Sequence, residues 1–147
     1  VPKIKYNQDF SFIRQSLKIK KSRVPLYYGG GKESDLQQYI HKHVGGEREL
    51  QTEAGAIDLL TPTRLIEVKE YKGWKGALGQ LLSYDYALNQ NPNEIWLQKL
   101  TVVLYWLTVP PRAELNTMFS TFKHFNIEVF TTWSKDEHSL QNLLDNA

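Results

Sequence analysis

Between residues 45 and 70 the chain carries three short strand-like segments whose links are too short to cross from one edge of a sheet to the other. Residues 49–53, 56–60 and 65–70 are joined only by Ala54-Gly55 and by Thr61-Pro62-Thr63. A parallel pair needs a connection of about a dozen residues or more, so these three must run as an antiparallel meander. From Gly76 to Asn89 the spacing of Ala77, Leu78, Leu81, Leu82 and Leu88 becomes helical, and Pro92 within 89–93 breaks it. The unbroken apolar run 102–109 then suits a strand covered on both faces, ended by Pro110-Pro111.

The meander is framed by helices. Residues 33–44 place Leu36, Tyr39, Ile40, His43 and Val44 on one face, and Gly45-Gly46 sit where a left-handed cap is wanted. Beyond 111 the sequence predicts a helix over 112–125, a strand over 127–131 and a last helix opened by a Ser134–Glu137 capping box, with Leu140, Leu143 and Leu144 inward. The order α-β-β-β-α-β-α-β-α implies an α/β fold with a mixed central sheet flanked by helices. Residues 32–147 are expected to form a single domain, and residues 1–31 a basic N-terminal arm.

That arm holds seven bases against the single acid Asp9, although the 147 residues together carry a formal charge of only +2. Phe10, Ile13 and Leu17 recur at helical spacing there, with Arg14, Lys18 and Lys21 on the adjacent stripe. This fits a helix that touches phosphates and equally fits a solvated tail. The absence of cysteine excludes disulfides, thiolate zinc sites and cysteine nucleophiles. No apolar run approaches the roughly 20 residues of a membrane-spanning helix. The first thirty positions offer no secretory signal, so an intracellular location without a membrane partner is expected. A first residue Val1 in place of Met suggests a processed or trimmed chain.

The chemistry lies within the meander, in Gly55-Ala56-Ile57-Asp58-Leu59-Leu60 and Leu65-Ile66-Glu67-Val68-Lys69. Alternation puts Glu67 and Lys69 on one face of their strand, Ile66 and Val68 on the other, and Asp58 out of phase with Ile57 and Leu59. Adjacent strands can therefore bring two carboxylates and an ammonium to one spot. Carboxylates that close repel one another unless a proton, a cation or a divalent metal intervenes. Oxygen ligands suit Mg²⁺, which takes one or two carboxylates and completes its shell with water and phosphate oxygens. Such a site is equipped for phosphodiester hydrolysis, with Lys69 placed to orient water or stabilise the oxyanion.

Asp58 followed by Glu67-Val68-Lys69 resembles the signature of the PD-(D/E)XK nuclease superfamily, over roughly residues 33–109. Ile57 stands where the nominal motif has proline. Gln80-Leu81-Leu82-Ser83-Tyr84 is similar to the Gln-x-x-x-Tyr element of its RecB-type members. The resemblance implies a restriction-endonuclease-like αβββαβ core. It also implies Mg²⁺, with Mn²⁺ able to substitute, held by Asp58 and Glu67 with the Val68 carbonyl and an acid of the first helix, Glu33. Gln80 would position water or phosphate, and Tyr84 would overhang the site toward nucleic acid. Ser34 and Gln37 also read as a capping box that would leave Glu33 just outside the helix.

Lys72, Trp74 and Lys75 interleave cations with an aromatic directly after the catalytic strand, as in a loop that contacts nucleic acid. The same residues fit a polar turn with a tryptophan lid on the core. Trp96, Trp106 and Trp133 are expected at the core or its rim. The expectation is a metal-dependent nuclease acting on nucleic acid, DNA ahead of RNA, with a homodimer favoured by paired cuts on two strands. A non-catalytic nucleic-acid-binding or scaffold module, or a recombination or transposition subunit active only when assembled, are the alternatives.

Overall fold

The computed structural model describes residues 33–91, 93 and 96–146. The basic arm, with Arg14, Lys18 and Lys21, lies outside the described residues. Helix α1 (Glu33–Val44) is followed by β1 (Glu47–Thr52), β2 (Gly55–Leu60) and β3 (Arg64–Glu70). A 3₁₀ turn (Tyr71–Gly73) leads into α2 (Trp74–Leu88), then β4 (Lys99–Tyr105), α3 (Arg112–His124), β5 (Glu128–Thr131) and α4 (Leu140–Asp145). The element order is the one expected from the sequence. The five strands lie in the order β1-β2-β3-β4-β5, with the β1-β2 and β2-β3 pairs antiparallel and the β3-β4 and β4-β5 pairs parallel.

Apolar alternation divides the interior between the two sheet faces. Leu36 and Ile40 of α1 and Leu143 and Leu144 of α4 pack on Leu59, Ile66, Val68, Val103 and Phe130. On the other face Ala77 and Leu81 of α2 and Met118 and Phe122 of α3 cover Ile57, Leu65, Val102, Leu104 and Val129. β4 contributes to both clusters because its apolar run is continuous, as a central parallel strand requires. Each fully buried aliphatic side chain contributes about 1.5–3 kcal/mol, so these two layers hold the sheet between its helices.

The turns that define the meander are set by individual residues. Gly45, with φ +73°, caps α1 by donating its N–H to the His41 carbonyl at 2.8 Å. At Gly46 a Cβ would stand 2.6 Å from the Leu60 carbonyl oxygen, so no other residue fits there. Thr52 closes the β1-β2 hairpin by donating its hydroxyl to the Gly55 carbonyl, and Thr61 accepts the Arg64 N–H across the β2-β3 turn.

Two boundaries differ from those expected. β4 ends at Tyr105, short of residue 109, because β5 supplies only four partners and Trp106 leaves the sheet to stack on Trp133. The last helix starts at Leu140 with Ser139 as its N-cap, accepting the Asn142 N–H at 3.1 Å. Ser134 instead pairs with Thr131, whose hydroxyl lies 2.6 Å away, so the proposed Ser134–Glu137 capping box does not form.

Candidate active site

The site opens where β2 and β3 part. Their register pairs only Leu59 with Ile66 and Leu60 with Leu65, so the ladder stops one residue short of Asp58 and Glu67. Asp58 fills the gap: its carboxylate accepts the Val68 backbone N–H at 2.8 Å. The parting also breaks the alternation of β2, since Ile57 packs under α2 while Leu59 packs under α1. Asp58 is thereby fixed by backbone geometry at the mouth of a cleft between two antiparallel strands. Such a buried or half-buried N–H without a partner would otherwise cost about 1–3 kcal/mol.

Glu67 enters from β3 and is only 2% exposed. Burial pushes its carboxyl up to about 8, helped by the negative charge of Asp58 and by a hydrogen bond shared with Asp58, and opposed by Lys69. Asp58 is raised as well, by burial first, against the pull of the Val68 N–H. Lys69 Nζ lies 3.7 Å from Glu67 Oε2. The other oxygen, Glu67 Oε1, is buried without a hydrogen-bond partner. Two acids with raised carboxyls therefore lie beside Lys69, and one Glu67 oxygen is buried without a partner.

Glu33 belongs to this group. It is the first residue of α1, inside the helix instead of before it, so the Ser34–Gln37 capping box does not place it outside. Gln37 is buried and accepts from the Arg48 guanidinium at 3.4 Å. The Glu33 carboxyl is half-buried and raised by that burial; Lys69 and a backbone hydrogen bond from Glu70 pull it down, while Asp58 and Glu70 push it up. Interactions of this reach connect the start of α1 to the parted strands.

The residues beyond the acids divide into supports and surface. Tyr84 is 2% exposed and donates its hydroxyl to the Ala56 carbonyl at 2.9 Å. Its phenol is pushed up to about 12, by burial and then by Glu67 and Asp58. Tyr84 thus braces β2 two residues before Asp58 and is not available to touch nucleic acid, a correction to the sequence expectation. Gln80 lies one turn away on α2, half-buried, with its amide 3.5 Å from the Tyr84 hydroxyl. Trp74 is also buried, at 8%, against Phe122, and so forms the lid on the core and not a contact loop. Lys72 and Lys75 are exposed, Lys75 with its ammonium 5.7 Å over the Trp74 ring.

Two supporting residues escaped the sequence reading. Glu49 has φ +54°, and the register on either side, Arg48 with Leu59 and Leu50 with Ile57, puts it opposite Asp58, whose carboxyl it raises. Its place on an alternating edge strand was legible, but the left-handed backbone was not. At Gly73 a Cβ would come within 3.0 Å of Lys69 Cδ and 3.1 Å of Cγ, so the missing side chain leaves room for the lysine stem.

Asp58 and Glu67 offer oxygen ligands of the kind a hard divalent cation would take. Glu67 Oε1 is an orphaned buried oxygen, and both carboxyls are raised, by burial first. Mg²⁺ is usually held by one or two carboxylates plus water and substrate, which is what Asp58, Glu67 and the Val68 carbonyl would supply. Among the described residues no group of three or more histidine, aspartate or glutamate side chains is placed to hold a metal ion.

Similar proteins come from Acanthamoeba polyphaga mimivirus. KilA-N domain-containing protein L32 is 34% identical over 118 residues, which make up 79% of this chain and 29% of that protein. KilA-N domain-containing proteins L33 and R878 are 42% and 45% identical over 57 and 53 residues, covering 39% and 36% of this chain and 23% and 15% of theirs. The chain thus spans less than a third of the length of these relatives. No family model matches the chain, and no solved structure matches it. No helix among the described residues is long and apolar enough to cross a membrane.

Proposed function

We propose that this chain is a metal-dependent nuclease of the PD-(D/E)XK type, built on a restriction-endonuclease-like core and hydrolysing phosphodiester bonds in DNA. The observation that carries the reading is the pairing of Asp58 and Glu67 at the parting of β2 and β3, with Lys69 Nζ 3.7 Å from Glu67 and a buried Glu67 oxygen unpartnered. An exposed surface Glu-Lys pair would explain the letters of the motif but not a 2% exposed glutamate whose carboxyl is raised by burial and by a neighbouring aspartate.

Each residue has a task in this reading. Asp58 and Glu67 would hold Mg²⁺, with Mn²⁺ as a substitute, and the Val68 carbonyl and Glu33 would complete the polar wall. A metal held there would supply charge neutralisation at the scissile phosphate and a more acidic water. Lys69, held beside Glu67, orients the attacking water and stabilises charge that develops on the phosphoryl oxygens. Tyr84 fixes Asp58 through the Ala56 carbonyl, and Gln80 presents its amide to water or phosphate from the same side of α2. The cations Lys72 and Lys75 lie on the turn and helix that follow β3, where backbone phosphates would pass.

The test is cleavage of single-stranded, duplex, flapped and branched DNA, with RNA beside them, in Mg²⁺ or Mn²⁺ and in chelator. Metal-dependent cutting by the native chain, lost in Asp58→Ala and Lys69→Ala, is the expected result. Cutting that survives both substitutions, or a pure and folded chain inert on every substrate, overturns the proposal.

A further inference from the structure

The end of the sheet that carries Lys69 also carries an aromatic and apolar ledge that the hydrolytic site does not use. β3 and β4 run in parallel register, Lys69 opposite Leu104 and Glu70 opposite Tyr105. Trp106 follows directly, and its ring stacks on Trp133 at 4.5 Å with the planes 3° apart. Tyr71 meets Trp133 edge-on at 6.2 Å, so the stack is tied to the residue two places after Lys69. Past Trp106 the chain leaves Leu107 and Val109 out in solvent, 61% and 74% exposed. Rigid, half-buried indoles beside solvated aliphatic side chains are unfavourable to leave uncovered and suited to a flat ring.

Charges of both signs border this ledge. Lys72, Lys75, Arg112 and Lys135 all lie on segments bordering it, are exposed, and make no ion pair among the described residues. Glu70, Glu114, Asp136 and Glu137 lie on the same segments: Glu70 accepts the Lys72 N–H at 3.0 Å, Asp136 accepts the His138 N–H at 2.9 Å, and Glu137 lies 3.7 Å from the His138 ring. Stacked aromatics next to the end of the strand that carries Lys69 suit a flat apolar face on a ligand that continues from that site.

We infer that Trp106, supported by Trp133 and flanked by Leu107, is a platform for an unpaired nucleobase adjoining the scissile phosphate, so that the substrate is single-stranded or contains an unpaired nucleotide. This rests on the nuclease reading above and deepens it. Base stacking on an aromatic side chain tolerates any sequence, so the platform would choose strand state over sequence.

The experiment is fluorescence anisotropy of labelled 20-nucleotide single-stranded DNA and of the blunt duplex of the same sequence, in chelator at low salt, where cleavage cannot interfere. Trp106→Ala should weaken single-strand binding by roughly 5- to 150-fold and duplex binding by less than about 3-fold. Leu107→Ser, at an exposed position that does not threaten folding, should weaken the single strand selectively and more modestly. Equal losses on both DNAs, or no loss in either variant, overturn the platform while leaving the nuclease reading intact. A native chain that binds neither DNA also overturns the platform, while the nuclease reading stands or falls on cleavage in Mg²⁺ or Mn²⁺.

Discussion

Replacing Glu67 by glutamine removes a charge that the metal-free fold tolerates poorly. The carboxyl lies at about 8 in the folded chain against an ordinary 4.5, so at pH 7 its ionisation in the unfolded chain favours unfolding by about 3 kcal/mol. Glutamine keeps the shape and escapes that term. It forfeits the attraction of Lys69, which is a quarter exposed and 3.7 Å away and therefore worth no more than about 1 kcal/mol. It also exchanges the hydrogen bond shared with Asp58 for one from its amide. The net expectation is stabilisation of roughly 1–2 kcal/mol, a rise of about 5 °C in melting temperature for a domain of this size. The sign with pH follows from a folded value above the unfolded one. The native carboxyl contributes fully below about 4.5 and loses that contribution as pH rises through about 8, so the advantage of Glu67→Gln should widen from pH 5 to pH 9. Thermal melts in chelator across that range measure it. A variant that melts below the native chain at pH 8, or a gap that narrows with pH, would refute the reasoning.

Other expectations concern the same cleft. Apparent Mn²⁺ affinity should rise steeply between pH 6 and pH 9, because the metal displaces the proton that Glu67 holds up to about 8; a flat titration by calorimetry would count against the shared site. Lys69→Met should lower the cleavage rate by about 10²–10³-fold with the melting temperature little changed, read from single-turnover kinetics on the same DNA. Tyr84→Phe leaves the Ala56 carbonyl without its donor and should destabilise the fold by about 1–2 kcal/mol in denaturant unfolding, with only a modest loss of DNA affinity. Gly73→Ala should slow cleavage more than it lowers stability, since its Cβ displaces the Lys69 stem while the backbone at residue 73, φ −94°, accepts alanine.

The fold was legible where periodicity and link length leave few choices. Short links at Ala54-Gly55 and Thr61-Pro62-Thr63 dictated the meander, and the unbroken run from Val102 marked a strand buried on both faces. Ends set by tertiary contacts were not legible. Nothing in the letters of residues 106–109 says that Trp106 will choose the Trp133 ring over the sheet, and Ser134 looked as fit to cap a helix as Ser139 does.

The site divides along the same line. Alternation alone placed Glu67 and Lys69 together, and their 3.7 Å contact follows from it. The bond from the Val68 N–H to Asp58 depends on the strands parting after Leu59 and Ile66, a three-dimensional event that no spacing encodes. Tyr84 shows the opposite error, while Trp74 takes the second of its two readings, the lid on the core. Aromatics near a functional strand read as ligand contacts, yet at 2% and 8% exposure each is part of the wall that holds the strand in place.

The most direct test of the central claim is an anomalous difference map from crystals of the native chain soaked in Mn²⁺. The account predicts one peak about 2.0–2.3 Å from an oxygen of Asp58, an oxygen of Glu67 and the Val68 carbonyl, with Lys69 Nζ beside it but not bound to it. No peak there, with Lys69 swung fully onto the two carboxylates as their permanent counter-ion, would contradict it.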